Sequence, residues 1–207
     1  MKKPGSKGEH ELQKKLKTEK RALAFYNSQL LNHLNSEMCQ FIAEQEMVFI
    51  STSDLEGHCD TSFRSGHAGF VAILNEKTLL FPDYRGNGVM ASMGNISENP
   101  HIGMLFVDFY QSSIGLHVNG KAEILSSEEL EAYSDLFEKI KPPPKNSGTR
   151  KPALWIRVAV EEAYIHCSKH IPLMQKMDKT IHWETDDEKL KGGDFFNAKN
   201  RTEQDSK

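Results

Sequence analysis

The sequence has few cysteines, no long apolar run and no strong excess of charge of one sign. Its three cysteines, Cys39, Cys59 and Cys167, are an odd number without a CxxC pair. This argues against a disulfide framework and a structural zinc site, and it indicates a reducing compartment. No apolar stretch follows the opening lysines, as a signal peptide would require, and no apolar run approaches the ~20 residues that span a bilayer. We therefore expect a soluble, cytoplasmic protein.

The motifs of several enzyme classes are also missing. HExxH, GxSxG, Walker A and GxGxxG do not occur, so zinc-protease, α/β-hydrolase, P-loop and Rossmann assignments have no support. The net charge of −3 gives the chain no electrostatic attraction to nucleic acid. His166 and His170 could together hold a metal ion, and Cys167 could act as a nucleophile. The metal ion would have only two or three ligands without a fourth, and a His that is near Cys167 in sequence does not establish a shared site, so no metal site is predicted.

The 207 residues suit one domain of ordinary size. Residues 1–17 are rich in lysine and offer nothing to bury, so we expect a mobile N-terminal arm. Residues 18–177 carry the periodic apolar pattern of a folded domain. Residues 178–207 mix both charges with glycine and show no sustained period, which is typical of an exposed or disordered tail.

The central domain has the pattern of short strands joined mainly by hairpins. Strands are predicted over 47–52, 58–63, 70–74, 78–81, 101–108, 114–125 and 153–165. Helices are predicted over 18–45, broken so that Ser36 caps the second part, over 91–95 and after Ser126, while the prolines of Lys141–Gly148 require a loop. The predicted fold is mainly β (α+β): a six- to seven-stranded antiparallel barrel with flanking helices.

The stretch Phe81–Phe109 places a polar insert between two strands. Within it, the sequence Arg85-Gly86-Asn87-Gly88 predicts a turn, and a short helix follows over Ala91–Asn95. A helix N-terminus with an arginine beside it suits an anion such as a phosphate, although an ordinary connection with polar caps would have the same composition. Arg64, which ends the second strand, is also suited to a phosphate, or it is an exposed arginine at a strand end.

Several ordered blocks resemble the FMN-binding split-barrel family that is related to pyridoxamine 5'-phosphate oxidase. The blocks are SFRSGHAGF (Ser62–Phe70), FPDYRGNGVMASMGNISENPHIGMLFVDF (Phe81–Phe109), GLHVNGKAEIL (Gly115–Leu125) and HCSKHI (His166–Ile171). The likeness covers roughly residues 20–172. It implies a split β-barrel and a homodimer that holds FMN in a groove at the subunit interface.

The resemblance implies a set of phosphate ligands. In such proteins an arginine at the end of the second strand and a polar cluster in the strand–helix insert hold the FMN phosphate. Arg64, with Ser65 beside it, matches the first role. The insert supplies Arg85, Asn87 and Ser92, and Ser92 stands about where the oxidase subgroup has a lysine.

The resemblance also implies contacts for the rest of the cofactor. Backbone groups of Gly69 and Phe70 are expected to face the isoalloxazine ring. The polar face of the long strand is expected to line the groove through His117 and Asn119. Two further contacts, Trp155 and Lys169, are expected from the partner subunit.

The function that this resemblance implies is that of an FMN-dependent oxidoreductase. The flavin would carry a hydride or electrons between NADH, NADPH or another reductant and an unknown small molecule, and no catalytic side chain is assigned. The C-terminal segment does not resemble the substrate-binding end of the oxidase, so pyridoxamine 5'-phosphate is not the expected substrate. Two alternatives stay open: a flavin carrier or sensor without turnover, and a haem-binding protein with His166 or His170 as the iron ligand.

Overall fold

The structure of the chain is a computed structural model. It describes residues 3–133 and 152–180, together with residues 187, 189, 190, 193–196 and 198. The loop predicted over Lys141–Gly148 and most of the tail predicted over 178–207 lie outside the described residues.

The described residues form seven strands, five α-helices and one 3₁₀ turn. The strands are β1 (Met47–Ser53), β2 (Cys59–Ser65), β3 (Ala72–Asn75), β4 (Thr78–Asp83), β5 (His101–Val107), β6 (Gly115–Ile124) and β7 (Leu154–His166). The helices are α1 (Lys7–Leu16), α2 (Glu19–Ser28), α3 (Ser36–Glu44), α4 (Ala91–Glu98) and α5 (Ser127–Glu131), and the 3₁₀ turn Ser168–His170 follows β7. Each predicted strand is present, with its ends within two residues of the prediction.

The seven strands make one antiparallel sheet in the order β2-β1-β5-β6-β7-β4-β3. This confirms the predicted mainly β architecture with flanking helices. One face of the sheet is the protein core, which is built from alternate strand residues such as Val48, Ile50, Phe106 and Val118. Burial of these side chains is the main driving force for the fold, at about 1.5–3 kcal/mol for each fully buried large apolar side chain.

The long pair of strands β6 and β7 contains a bulge. Asn119 pairs with Glu162, but its neighbour Gly120 pairs with Val160, which leaves Glu161 as the extra residue of β7. A Cβ atom on Gly120 would lie 2.1 Å from the carbonyl oxygen of Ala159. Only glycine fits at that position, because any side chain would collide with the backbone of β7.

The start of one helix and the end of another differ from the prediction. The cap of α3 is Asn35, not Ser36, because the Asn35 Oδ1 accepts the Met38 N–H at 2.9 Å. Ser36 is already the first helical residue. The predicted short helix of the insert, α4, continues three residues further than expected, to Glu98.

The N-terminal arm contains α1, a helix that the composition of this segment did not predict. A capping box starts it, in which the Ser6 side chain accepts the Glu9 N–H while the Glu9 side chain accepts the Ser6 N–H. The Gln13 side chain donates to the Tyr26 hydroxyl at 2.8 Å and so joins α1 to α2. The mobility of the arm as a whole stays a prediction. In the described part of the chain, the helices are too short or too polar to cross a membrane.

Candidate functional site

A pocket of about 440 Å³ opens between β2, the end of β4 and the N-terminus of α4. It is lined by Asp60 and by residues 62–65, 83–87 and 89–92, and we call it the α4 pocket. Five of the residues predicted to bind the cofactor share its lining: Arg64, Ser65, Arg85, Asn87 and Ser92.

Arg64 is held in the α4 pocket by an ion pair. Its Nε donates to the Asp83 Oδ1 at 2.6 Å, and its Nη1 donates to the carbonyl oxygen of Phe63 at 3.2 Å. Asp83 is 2% exposed, and this burial raises the pKa of its carboxyl while the charge of Arg64 acts in the opposite direction. A guanidinium has five N–H donors, so these two bonds leave donors for a ligand.

This ion pair also explains the position of the α4 pocket. β2 is one edge strand of the sheet, and β4 lies next to the other edge. A direct contact between Arg64 and Asp83 therefore requires that the sheet curl until its two ends approach each other. At this point β2 and β4 are joined by the side chains of Arg64 and Asp83 and not by backbone pairing.

The N-terminus of α4 faces the same pocket without a side-chain cap. Its N-cap residue, Met90, has the left-handed conformation with φ 57°, and its side chain makes no capping hydrogen bond to the first turn. A turn delivers the chain to this point: the Gly88 N–H donates to the Arg85 carbonyl oxygen at 2.9 Å, and Asn87 accepts the Val89 N–H at 3.0 Å. The backbone N–H groups of the first turn and the positive end of the helix dipole favour an anion here.

Hydrogen bonds from its polar face hold α4 against the sheet. Asn95 Nδ2 donates to the Thr52 Oγ1 at 3.1 Å, and Asn99 Nδ2 donates to the Ser53 Oγ at 2.9 Å. Both acceptors lie at the end of β1. The helix N-terminus is therefore placed by the rigid sheet, as a binding site needs.

Two acidic residues of the α4 pocket were not among the predicted site residues. Asp60 accepts a hydrogen bond from the Ser92 hydroxyl at 2.9 Å, and Asp83 is the partner of Arg64. The alternation of inward and outward residues along the two strands could have identified both. Asp60 shares the inward face of β2 with Arg64, and Asp83 continues the buried face of β4 that includes Phe81.

His117 and Asn119 lie on the other face of the sheet, away from the α4 pocket. His117 Nε2 and His166 Nδ1 are 2.9 Å apart, and the His117 ring stacks on Tyr164 at 4.7 Å between centroids. Burial, and secondarily the neighbouring His166, lowers the pKa of His117. Asn119 donates to the Glu162 Oε2 at 3.3 Å.

A mainly aromatic row of side chains crosses this outer face of the sheet. Paired residues of neighbouring strands place its five members side by side: Phe63, Phe49, Leu105, His117 and Tyr164. We call them the outer-face row. Phe63 is 53% exposed although it contacts Phe49 edge to face at 5.5 Å. On β2 the largest apolar side chain therefore points away from the core, while Arg64 points toward it.

The other four predicted residues lie outside the α4 pocket. Gly69 has φ 84°, and the Phe70 N–H donates to the His67 carbonyl oxygen at 2.9 Å, so that donor is used within the loop. Trp155 pairs with Pro82 at one end of β7. Lys169 is exposed in the 3₁₀ turn beyond the other end of β7. One chain does not bring Trp155 and Lys169 to the same place.

The sequence around His166 forms no metal cluster. Cys167 and His170 are both exposed, and Cys167 is a free thiol. Among the residues that the structure describes, no three His, Cys, Asp or Glu side chains are arranged to hold a metal ion.

Most of the folded part of the chain matches one known family. The family model of pyridoxamine 5'-phosphate oxidase matches residues 34–167. This range includes every predicted cofactor residue except Lys169. No curated protein sequence gives a significant match.

Solved structures with a related fold have low sequence identity to the chain. HupZ of group A Streptococcus is 20% identical, with 64% of this chain and 93% of that chain covered and a TM-score of 0.48. A Clostridium acetobutylicum protein of the pyridoxinephosphate oxidase family is 16% identical, with 63% and 85% covered and a TM-score of 0.43. HutZ, the haem storage protein of Vibrio cholerae, is 12% identical, with 64% and 94% covered and a TM-score of 0.39.

Proposed function

Because this chain belongs to the pyridoxamine 5'-phosphate oxidase family, we propose that it binds FMN and acts as an FMN-dependent oxidoreductase in the cytoplasm. The observation that carries the proposal is the α4 pocket. It brings two arginines, Arg64 and Arg85, to an uncapped helix N-terminus. Guanidinium groups and helix N-termini are both preferred partners of a phosphate.

The donors of the α4 pocket fit the phosphate of FMN. Asp83 fixes the guanidinium of Arg64 through its Nε, so Arg64 can donate from a preset position at a small cost in conformational entropy. Arg85 adds a second positive charge at the turn, and the N–H groups at the start of α4 add neutral donors. These groups bind and orient the phosphate end and do not take part in the redox step.

FMN, when bound, supplies the transfer of a hydride or of electrons, and NADH or NADPH is the proposed reductant. The protein needs no acid–base residue for that chemistry. Its remaining tasks are to orient the ring and to exclude water from it. The family match ends at Cys167, so the segment that follows supplies no family signature for a substrate. We propose a small-molecule substrate without naming it.

We further propose that the active form is a homodimer. The predicted ring contacts His117 and Asn119 are on the opposite face of the sheet from Arg64, so one chain does not surround a flavin with all of them. A second copy would supply the missing contacts and would cover the outer-face row. Burial of exposed aromatic side chains such as Phe63 is the usual source of binding energy at an interface.

Titration of the purified protein with FMN tests the proposal. We expect quenching of flavin fluorescence with one FMN bound per chain, and bleaching of the bound flavin by NADH or NADPH. Binding without bleaching would indicate a flavin carrier or sensor. Failure to bind FMN, or a Soret band from copurified haem, would contradict the proposal.

A further inference from the structure

Asp60 is an acidic side chain inside a pocket that is proposed to hold a phosphate, so any role assigned to it there rests on the proposed function. Asp60 lies on β2 opposite Thr52 and points to the inward face that it shares with Arg64. Its Oδ2 accepts the Ser92 hydroxyl at 2.9 Å and lies 3.4 Å from the Ser62 hydroxyl. Ser92 is 3% exposed, in the first turn of α4.

Asp60 occupies a place that an anionic ligand would use. The N-terminus of α4 has no side-chain cap, and a carboxylate beside the first turn of a helix is stabilised by the helix dipole in the same way as a phosphate. The Asp60 Oδ2 already accepts a hydrogen bond from the Ser92 hydroxyl, the side chain that occupies the insert position assigned to a phosphate ligand. The carboxylate of Asp60 is thus an internal anion at the ligand's position.

The balance of charges in the pocket lining also reduces the attraction for a phosphate. The charged side chains of the lining are Asp60, Arg64, Asp83 and Arg85, so their formal charges cancel. Asp83 pairs with Arg64. A phosphate that enters therefore meets no net positive charge, and it lies near the carboxylate of Asp60, which repels it.

We propose that Asp60 is an affinity-determining residue that competes with the FMN phosphate for Ser92 and for the N-terminus of α4. It joins β2 to α4 through Ser92 and weakens the binding of a ligand that carries a phosphate. Without this carboxylate, the same donors would hold a phosphate more tightly.

The experiment compares the dissociation constants of FMN and riboflavin in wild type, Asp60→Asn and Glu98→Gln. The Asp60→Asn variant keeps an acceptor oxygen for the Ser92 hydroxyl and removes only the charge. Glu98 is an exposed acid at the other end of α4, so its variant controls for the change in net charge. We expect Asp60→Asn to bind FMN about tenfold more tightly than wild type. We expect riboflavin affinity to be unchanged, and Glu98→Gln to match wild type for both ligands.

A double variant tests the competition for Ser92 separately. If Asp60 acts partly by occupying the Ser92 hydroxyl, Asp60→Ala, which removes the acceptor, gains more FMN affinity than Asp60→Asn, and this additional gain disappears when Ser92→Ala is combined with it. Thermal unfolding without ligand shows that each variant is folded, and Asp60→Ser replaces Asp60→Asn if the latter does not fold.

The possible failures are distinguishable. Equal FMN affinities of wild type and Asp60→Asn, or weaker binding by the variant, overturn the role of Asp60 and leave FMN binding in place. An equal gain for riboflavin also overturns it, because riboflavin has no phosphate to repel. Absence of FMN binding in every variant overturns the proposed function, and the role of Asp60 with it.

Discussion

The α4 pocket and the outer-face row lie on opposite faces of the same sheet, and they differ in the composition of their side chains. On the side of the α4 pocket, the inward face of β2 carries polar and charged side chains, among them Asp60 and Arg64, and Arg64 pairs with Asp83. The outer-face row is mainly aromatic and partly exposed, with Phe63 53% accessible. A β-strand usually places its polar residues outward, and β2 does the reverse. The inward face of β2 therefore contributes to the α4 pocket as well as to the core, in agreement with the proposed phosphate site, and its exposed outward face is the one that we propose for a partner.

The first prediction concerns the ion pair that closes the curled sheet. Asp83→Ala leaves the guanidinium of Arg64, whose side chain is 22% exposed, without its acceptor. We expect a loss of about 3 kcal/mol in the free energy of unfolding, measured by urea denaturation. Asp83→Asn is the matched control. It keeps an acceptor and removes a carboxylate whose pKa is raised by burial, so it should cost much less. Equal losses in the free energy of unfolding of both variants would mean that the negative charge of Asp83, rather than its hydrogen bond, stabilises the fold.

The second prediction concerns ligand binding by the same pair. Arg64→Ala should weaken FMN binding by about 1–3 kcal/mol, because a charge-assisted contact to the phosphate is lost. Isothermal titration measures the effect.

The Arg64→Ala variant also leaves Asp83 buried without a counter-charge, which raises the pKa of Asp83 further. A carboxyl group whose pKa is raised on folding stabilises the folded protein at low pH. This stabilisation is lost as the pH rises through the folded pKa. The variant should therefore be less stable at high than at low pH, which a pH series of unfolding curves would show.

The third prediction tests the other face. Phe63→Glu places a charge in the outer-face row and should weaken the proposed dimer by about 1–2 kcal/mol, or roughly tenfold in its dissociation constant. Light scattering over a range of protein concentrations measures this constant. Leu55→Glu is the control, since Leu55 is 75% exposed on the β1–β2 turn and lies outside the row. A monomeric wild type, or equal effects of both variants, would contradict the assignment of this face to a partner.

The smallest expected effect is a pH dependence of stability from His117. Its pKa is lowered on folding by burial and by His166, so the folded protein binds fewer protons there than the unfolded chain. Neutral His117 therefore contributes stability above its unfolded pKa of about 6.5, and this contribution is lost as the pH falls through the folded pKa. Wild type should lose stability from about pH 7 to pH 5.

In His117→Gln this loss should be smaller, while the exposed control His170→Gln should behave as wild type. Tyr164 and His166 of β7 are the titratable groups that contact His117. Identical pH profiles in wild type and His117→Gln would show that His117 does not couple to folding.

Local features of the α4 pocket could be predicted from the sequence, and its long-range contacts could not. The turn at Arg85–Gly88 and the helix after it follow from turn and helix preferences within a few residues. The ion pair of Arg64 depends on the curl that brings β2 to β4, two strands that are not neighbours in the sheet. No pattern within β2 alone contains that information. Asp83 had a visible signal, since a charged residue that continues an apolar face needs a buried partner.

The helices also include features that the sequence did not decide. Ser6 and Glu9 have the spacing of a capping box, yet the lysine-rich composition of the arm predicted no packed structure. For α3, Asn35 and Ser36 are adjacent and both are good caps, so the sequence did not decide between them. The placement of His117 and Arg64 on opposite faces follows from the register of four strands, which becomes known only with the fold.

The contribution of the phosphate to flavin binding tests the central claim most directly. FMN and riboflavin differ only in the phosphate, so the ratio of their dissociation constants isolates what the α4 pocket contributes. We expect wild type to bind FMN at least about tenfold more tightly than riboflavin, and Arg64→Ala to lose most of that preference. Equal affinity of the wild-type protein for the two flavins would contradict the assignment of the α4 pocket to the phosphate.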